Sequence, residues 1–258
     1  MIGALSSWQA HVFCSIVHGV SSILHLAAES AFDIDSVVPV YRLQRHGRDV
    51  RPHVALVGGI SVLAASGVFL LITSWMHAFY AYKTYTDPGD IPGAKWRMAE
   101  YSVTAPIMIV IIALLLGVAE VYSLVGIWGL CMTTMVFGAF TAVSPLAHAA
   151  GYVPYMIMWT ILMIAFGVAV NDSDENVPAF VWVIVLFEFF LFSAFGLVQF
   201  TFEVLPAITP KSKKHRPVSK QEAWETLRKT DGWYNLLSLT SKLLLAWLAF
   251  GGIQGMND

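Results

Sequence analysis

Residues 237–252 read LSLTSKLLLAWLAFGG, and Lys242 is the one charged residue in this stretch. About 20 apolar residues, at 1.5 Å of rise each, span the hydrocarbon core of a bilayer, and the enclosing run Trp233–Gln254 has that length. A charge near the middle of such a helix costs about 2.5–3.5 kcal/mol on insertion scales. The stretch therefore predicts a transmembrane helix with a lysine that has a function.

The composition of the whole chain agrees with a membrane protein. Of the 258 residues, 57% are hydrophobic and 12% are charged, against roughly a quarter charged in soluble domains. The net charge of −2 gives no basic field, so we expect no nucleic-acid partner. Cys14 and Cys131 lie in apolar stretches, which predicts neither a disulfide framework nor a cysteine-rich metal site. The first Lys or Arg is Arg42, so we expect the first apolar stretch to be a retained span rather than a cleaved signal peptide.

Six further apolar runs of span length occur, separated by charged or Pro/Gly-rich breaks. We therefore predict an all-α membrane protein with a seven-transmembrane-helix bundle, with one domain over residues 1–258 and lipid as its surroundings. The predicted spans are Trp8–Ala28, His53–Tyr82, Arg97–Ala119, Tyr122–Val143, Tyr152–Val170, Ala179–Ala207 and Trp233–Gln254.

The distribution of Lys and Arg predicts the orientation. The even-numbered loops and their edges carry ten of these residues and the odd-numbered loops carry four. Because cytoplasmic loops are enriched in Lys and Arg, we expect a cytoplasmic N-terminus and an extracellular C-terminus, with the four arginines of the first loop opposing this assignment. The ten are Lys83, Lys95, Arg97, Lys211, Lys213, Lys214, Arg216, Lys220, Arg228 and Lys229, and the four are Arg42, Arg45, Arg48 and Arg51.

Two loops have patterns of their own. The β-branched segment Ser36–Gln44 predicts either a short hairpin or an irregular loop. Ser219 and Glu222 form a capping-box pattern, which predicts a helix leading into span seven and interrupted or kinked near Gly232. The basic stretch Lys211–Lys229 is a candidate docking surface for a cytoplasmic signalling partner, with anionic lipid or topology as the alternative roles.

Lys242 and Glu100 are the candidate reactive pair. Burial favours the neutral form of a lysine amine, which is a nucleophile toward an aldehyde; the alternative is a lysine that only pairs with a carboxylate of a neighbouring helix. We expect Glu100 to be that carboxylate, held ionised by Arg97 three residues earlier, although an interfacial Arg–Glu pair would show the same spacing. Ser238 lies one turn before Lys242, so the site would have a single negative counter-ion.

Several residues and spacings form a pattern: Arg97-x-x-Glu100-Tyr101-Ser102, Ser238-x-x-x-Lys242, His18, His77 and Phe192-x6-Gln199. In this pattern the chain resembles the heliorhodopsins, over its whole length; these are retinal-binding seven-helix photoreceptors of rhodopsin-like fold, distant from the ordinary microbial rhodopsins. Ordinary microbial rhodopsins commonly have an Asp where this chain has Ser238, and their N-terminus lies outside, so both features favour heliorhodopsin.

The resemblance implies that Lys242 forms a protonated Schiff base with all-trans retinal and that Glu100 is its counter-ion. An elongated apolar slot would surround the polyene. Ordinary helix packing is the alternative role of each candidate lining residue. The candidates are Tyr101, Thr104, Met108, Thr134, Met135, Gly138, Trp159, Phe192, Gln199 and Ser238.

Three histidines repeat every seven residues along span one: His11, His18 and His25. For the outer two we expect polar helix packing or an interfacial position. The resemblance places His18, together with His77, in a water-containing cavity beside the Schiff base, where a neutral imidazole accepts or relays a proton. No second nitrogen ligand follows His18 at three or four residues, so we expect no metal site.

The absence of acids from one stretch disfavours a standard light-driven pump. Such a pump has a donor carboxylate about three turns beyond the counter-ion, and Ile109–Leu116 contains none. Glu188 lies mid-span among phenylalanines; it is either a relay in a light-gated proton path or a neutral acid bonded to a backbone carbonyl or another helix. We therefore expect a light sensor acting through a partner or as a homodimer, with a proton conductor and a chromophore-free membrane protein as alternatives. We expect no enzymatic turnover, because the imine persists through the light cycle.

Overall fold

The computed structural model describes residues 6–31, 36–45, 52–87, 94–141, 143–172, 177–209 and 220–257. In these residues seven helices are long and apolar enough to cross a membrane, which confirms the seven predicted spans. A π-helical turn (Phe200–Val204) and a short helix (Leu205–Ile208) extend the sixth helix, so it forms one span of 30 residues. The seven helices are α1 (Ser7–Ala31), α2 (Val62–Thr86), α3 (Ala94–Leu115), α4 (Val121–Phe140), α5 (Pro145–Asp172), α6 (Ala179–Gln199) and α7 (Lys220–Asn257).

The helices form a bundle around α3. Neighbours in sequence pack together from α1 to α4 and on to α5, while α7 packs against α6, α1 and α2. Ile109, Ile111 and Ile112 of α3 are fully buried. Large apolar side chains such as Ile23, Trp75 and Phe190 instead point outward and are exposed, as expected where lipid replaces water around the bundle. The ends of the bundle joined by the second, fourth and sixth connections are called the even-loop side, and the other ends the odd-loop side.

A two-stranded antiparallel hairpin lies between α1 and α2, with β1 (Val37–Arg45) paired to β2 (Pro52–Ser61). Its first strand matches the predicted Ser36–Gln44 segment, but the predicted start of span two at His53 is wrong, because α2 begins at Val62. The run PHVALVGGIS is apolar except for His53 and Ser61, so hydropathy cannot separate this strand from the helix that follows. The hairpin is attached to the α3–α4 turn, where the Tyr41 backbone N–H donates to the Ala119 carbonyl at 2.9 Å.

Two other predicted breaks are helical. The stretch Ser144–Gly151 was expected to be a loop, yet α5 begins at Pro145, a position where proline's fixed φ and missing N–H suit the first turn. The expected interruption near Gly232 is also wrong, since α7 continues through it for 38 residues. Buried Asp231 and Tyr234 on either side anchor this part of α7 and offset the helix cost of a glycine, about 1 kcal/mol. Ser219 of the predicted capping box lies outside the described residues, as do residues 211–218 of the basic stretch.

Candidate functional site

The structure pairs Lys242 of α7 with Glu100 of α3 in the interior of the bundle. The Lys242 Nζ donates to Glu100 Oε1 at 2.6 Å, and both side chains are almost completely buried. A buried ion pair loses the hydration of two charges and is held only by good geometry and further hydrogen bonds. Further side chains around the pair offset this cost.

Three neighbours complete the environment of the ion pair. The Lys242 Nζ also donates to the Thr73 hydroxyl at 2.6 Å, and the Tyr80 hydroxyl donates to Glu100 Oε2 at 3.3 Å. The Lys242 Nζ lies 5.1 Å from the centre of the Tyr101 ring, within the range of a cation–π interaction. The lysine nitrogen therefore has one carboxylate, one hydroxyl and one aromatic face around it.

A cavity begins at Lys242 and lies between α3, α4, α5 and α6. The empty space inside it, including the open space at its mouth, is about 790 Å³. Nine residues selected from the sequence line it: Tyr101, Thr104, Met108, Thr134, Met135, Gly138, Phe192, Gln199 and Lys242. The mainly apolar wall suits an apolar molecule whose reactive end meets an amine.

Three of the predicted chromophore contacts and all four relay candidates do not line the cavity: Trp159, Glu100 and Ser238, and His18, His77, Arg97 and Glu188. Trp159 is buried behind the wall, with its ring 6.4 Å from Tyr155 and 6.1 Å from Phe192, centre to centre. Glu100 reaches the site only through Lys242. The Ser238 hydroxyl is buried beside the Tyr101 side chain and makes no described hydrogen bond to Lys242. Glu188 is fully buried on α6, and neither carboxylate oxygen has a described partner, so the predicted bond to a backbone carbonyl or another helix is not seen.

Arg97 does not pair with Glu100 as the spacing suggested. Its Nη2 instead donates to Asp231 of α7 and, at 2.9 Å, to the Asn235 amide oxygen. The guanidinium is only 1% exposed, so an interfacial position is wrong as well. Residues three apart on a helix can meet, but here the packing of α7 in the bundle places Asp231 next to Arg97. Glu100 pairs with Lys242 instead.

The histidines connect α1 and α2 to this second ion pair. The Nδ1 atoms of His11 and His77 are 3.0 Å apart, and the His11 Nε2 lies 3.3 Å from Asp231 Oδ2. His18 stacks on His77 with ring centres 5.4 Å apart. His25 bonds to the Ser21 and Ala246 carbonyls, at 2.7 and 3.0 Å, which is the predicted polar helix packing. Within the described residues no group of three or more His, Cys, Asp or Glu side chains could hold a metal ion.

Sequence reasoning missed Asp231, Asn235, His11, Thr73 and Tyr80 as members of the site. For two of them a signal exists, because Asp231, Asn235, Ser238 and Lys242 recur at the 4-3-4 spacing of one helical face. The predicted span began at Trp233, which put Asp231 in a loop. His11 also lay on the predicted histidine face, but Thr73 and Tyr80 have no comparable pattern.

The fold is similar to that of microbial rhodopsins. The rhodopsin of Exiguobacterium sibiricum superimposes with a TM-score of 0.62 at 13% identity, covering 98% of this chain and 97% of that one. A structure described as a thermophilic rhodopsin gives 0.56 at 11% identity, with 98% of each chain covered. At these identities the likeness concerns the fold alone. A comparison with curated proteins finds no match.

The family model for heliorhodopsin matches residues 5–205. The chain therefore belongs to the heliorhodopsin family, and the predicted resemblance is confirmed. Family and fold together make it an integral, multi-pass membrane protein with a retinal chromophore, either light-sensing or light-driven. The matched segment includes Glu100 but ends before α7, so the place of Lys242 in the site rests on the geometry described above.

Proposed function

We propose that this protein is a light sensor that holds all-trans retinal on Lys242 with Glu100 as the counter-ion. The observation that supports this is the Lys242–Glu100 ion pair, with its 2.6 Å contact, beside an apolar cavity. When bound as a protonated Schiff base, retinal supplies visible-light absorption and photoisomerisation. The lysine nitrogen in the structure stands in for the imine nitrogen.

The residues around the pair have separate tasks in this proposal. Glu100 neutralises the positive charge, Thr73 accepts a hydrogen bond at the nitrogen, and the Tyr101 ring covers it. Because charge–charge attraction is strong in a buried site, Glu100 keeps the proton on the nitrogen in the dark. After light, the buried His18 and His77 next to the site are the candidate acceptors or relays for a proton.

The apolar odd-loop half of α3 supports sensing over pumping. Ile109, Ile111, Ile112 and Ala113 are fully buried, and no acid lies in the stretch Ile109–Leu116. A proton leaving the site therefore meets polar groups on the even-loop side and apolar packing along α3 on the other side. Because of this asymmetry, we expect a proton that leaves the site after light to return to it from the even-loop side, as in a sensor, rather than to cross the membrane.

We further propose a cytoplasmic N-terminus and an extracellular C-terminus. Arg97 is buried with Asp231 and no longer counts as a loop charge, yet the even-loop side still carries nine Lys and Arg against four. In this orientation the basic Lys211–Lys229 stretch faces the cytoplasm, where it would bind a signalling partner. A homodimer is the other proposed route for the signal.

The experiment that tests the sensor is an absorption spectrum combined with photocurrents. We expect added all-trans retinal to give a visible band, and voltage-clamped cells expressing the protein to show no steady photocurrent. The absence of any visible band would refute a retinal site. A steady current under zero applied voltage would refute the sensor and establish a pump. Epitope tags at both ends, probed in unpermeabilised cells, test the orientation.

A light-gated proton conductor is the second candidate, favoured by Glu188. This carboxyl is fully buried on α6 with no described hydrogen-bond partner, and it lies one turn from the cavity-lining Phe192. An unpartnered buried acid costs stability, and a proton path is a role that would justify the cost.

Photocurrents of a matched pair of variants test the conductor. We expect Glu188→Gln to abolish a current that depends on it, while Glu225→Gln, on the exposed start of α7, leaves the current intact. A current that survives in Glu188→Gln would exclude this carboxyl from the path. The absence of current in the unaltered protein would leave sensing as the function.

A further inference from the structure

The cavity has a polar end that an unsubstituted retinal would not use. His148 lies in the first turns of α5, lines the cavity and is 9% exposed. Its Nε2 is buried and makes no hydrogen bond of good geometry to a described residue, while the imidazole lies beside the Gln199 side chain. A buried polar nitrogen whose hydrogen bonding is incomplete is costly, so this atom is a candidate ligand contact.

Gln199 of α6 adds a hydrogen-bond acceptor at the same end. Its amide nitrogen donates to the Gly138 carbonyl at 2.8 Å and to Glu203 Oε2 at 3.3 Å. These two bonds use both amide hydrogens and fix the orientation of the side chain. The amide oxygen is the acceptor that faces the His148 imidazole, and it lies 3.5 Å from the place a Cβ would occupy on the cavity-lining Gly138.

His148 and Lys242 line the cavity from different helices. The helix of Lys242, α7, packs against α6, α1 and α2, whereas the helix of His148, α5, packs against α4. A chain attached by its aldehyde carbon to Lys242 extends away from α7. The ring of a retinoid, which is the end remote from the aldehyde, would therefore approach the helices that carry His148 and Gly138.

We propose that the cavity prefers a retinal whose ring carries an oxygen substituent, held by His148 and Gln199. This inference rests on the proposed retinal site. A ring hydroxyl can accept from or donate to the imidazole and can donate to the Gln199 amide oxygen, while the unsubstituted hydrocarbon ring can do neither. A net hydrogen bond of about 0.5–1.5 kcal/mol corresponds to a preference of roughly two- to tenfold.

A competition experiment on the full chain tests this preference. The retinal-free protein is incubated with equal amounts of all-trans retinal and all-trans-4-hydroxyretinal, and separately with all-trans-3-hydroxyretinal. The bound chromophore is then released with hydroxylamine and quantified by chromatography. We expect at least one hydroxylated form to be enriched roughly two- to tenfold over retinal.

Two variants assign the preference to His148. We expect His148→Phe, or His148→Leu if the larger ring prevents folding, to keep a visible band and to lose the enrichment. Tyr122→Phe is the matched control, because it also removes an aromatic hydroxyl, but from an exposed position on α4 that does not line the cavity; it should keep the enrichment.

Equal uptake of all three retinals by the unaltered protein would overturn the preference. An enrichment that persists in both His148 variants would overturn the assignment to His148. A protein that forms no visible band with any of the three compounds refutes the proposed retinal site itself, which is a different result from equal uptake.

Discussion

The two halves of the bundle interior differ in the polar groups that they bury. Toward the even-loop side, buried ionic groups bond to one another across helices, as Lys242 does with Glu100 and Arg97 with Asp231. Toward the odd-loop side, α3 contributes only apolar side chains between Ile109 and Leu116. The difference shows that these two ion pairs lie on the side where the chromophore nitrogen would be, and that the other half of α3 has only apolar packing.

The even-loop half contains two ion pairs side by side rather than one shared cluster. Each cation has a carboxylate from a different helix, so the charges are balanced pair by pair. Removing one charge leaves its partner buried and uncompensated, which costs about 3–5 kcal/mol. The following four changes probe the two halves, beginning with the one expected to have the largest effect.

Loss of the reactive amine is expected to remove the chromophore completely. Lys242→Ala should give no visible band after addition of all-trans retinal, because no other buried amine is seen beside the cavity in the described residues. The matched control is Lys229→Ala, an exposed lysine of the same helix, which should keep the full band. A visible band of normal intensity in Lys242→Ala would contradict the site.

Neutralising the counter-ion is expected to destabilise the protonated nitrogen. In Glu100→Gln the visible band should give way to a near-ultraviolet band at a pH about 2–4 units lower than in the unaltered protein, since breaking a buried pair costs about 3–5 kcal/mol and one unit is 1.36 kcal/mol. Removing a negative charge disfavours the protonated form, which sets the sign. Absorbance titration measures the midpoint, with Glu225→Gln as the exposed control; an unchanged midpoint would exclude Glu100.

The second ion pair is expected to influence the same titration more weakly. Asp231→Asn leaves the Arg97 charge uncompensated. This positive charge disfavours the protonated, positively charged nitrogen of Lys242 nearby. The midpoint should fall by about one pH unit, because at an effective dielectric of about 20 charges several ångströms apart interact by a few kcal/mol at most. The melting temperature should fall as well. If the midpoint moved as far as in Glu100→Gln, the two pairs would form one cluster.

The smallest effect is expected from the hydroxyl at the nitrogen. Thr73→Val keeps the shape of the side chain and removes the acceptor 2.6 Å from Lys242 Nζ, so the midpoint should fall by about 0.5 unit. Ser238→Ala is the matched comparison, because its hydroxyl is buried but makes no described hydrogen bond to Lys242 Nζ; its shift should be smaller. The reverse order would assign the contact to Ser238.

Much of the site was predictable because transmembrane charges are rare and costly. Lys242 and Glu100 could be paired from the sequence, since each is an ionisable residue in or beside an apolar span, and the helical spacing from Glu100 identified Thr104 and Met108 as lining residues. The partner of Arg97 could not be predicted, because local spacing favoured Glu100 and only the packing of α7 against the bundle supplies Asp231. The prediction that Trp159 lines the cavity was wrong because it also depended on tertiary packing. An aromatic residue on the correct helix can face the cavity or lie behind its wall, and the sequence does not distinguish the two positions.

The sequence by itself determined seven spans and the presence of one buried lysine, because hydropathy and the cost of charge in lipid are properties of each segment alone. The strand Pro52–Ser61 and the unbroken helix through Gly232 depended on contacts with other parts of the chain. The tertiary structure alone decided which carboxylate neutralises which cation. Ion pairing acts over a few ångströms between helices, and no one-dimensional pattern records those distances.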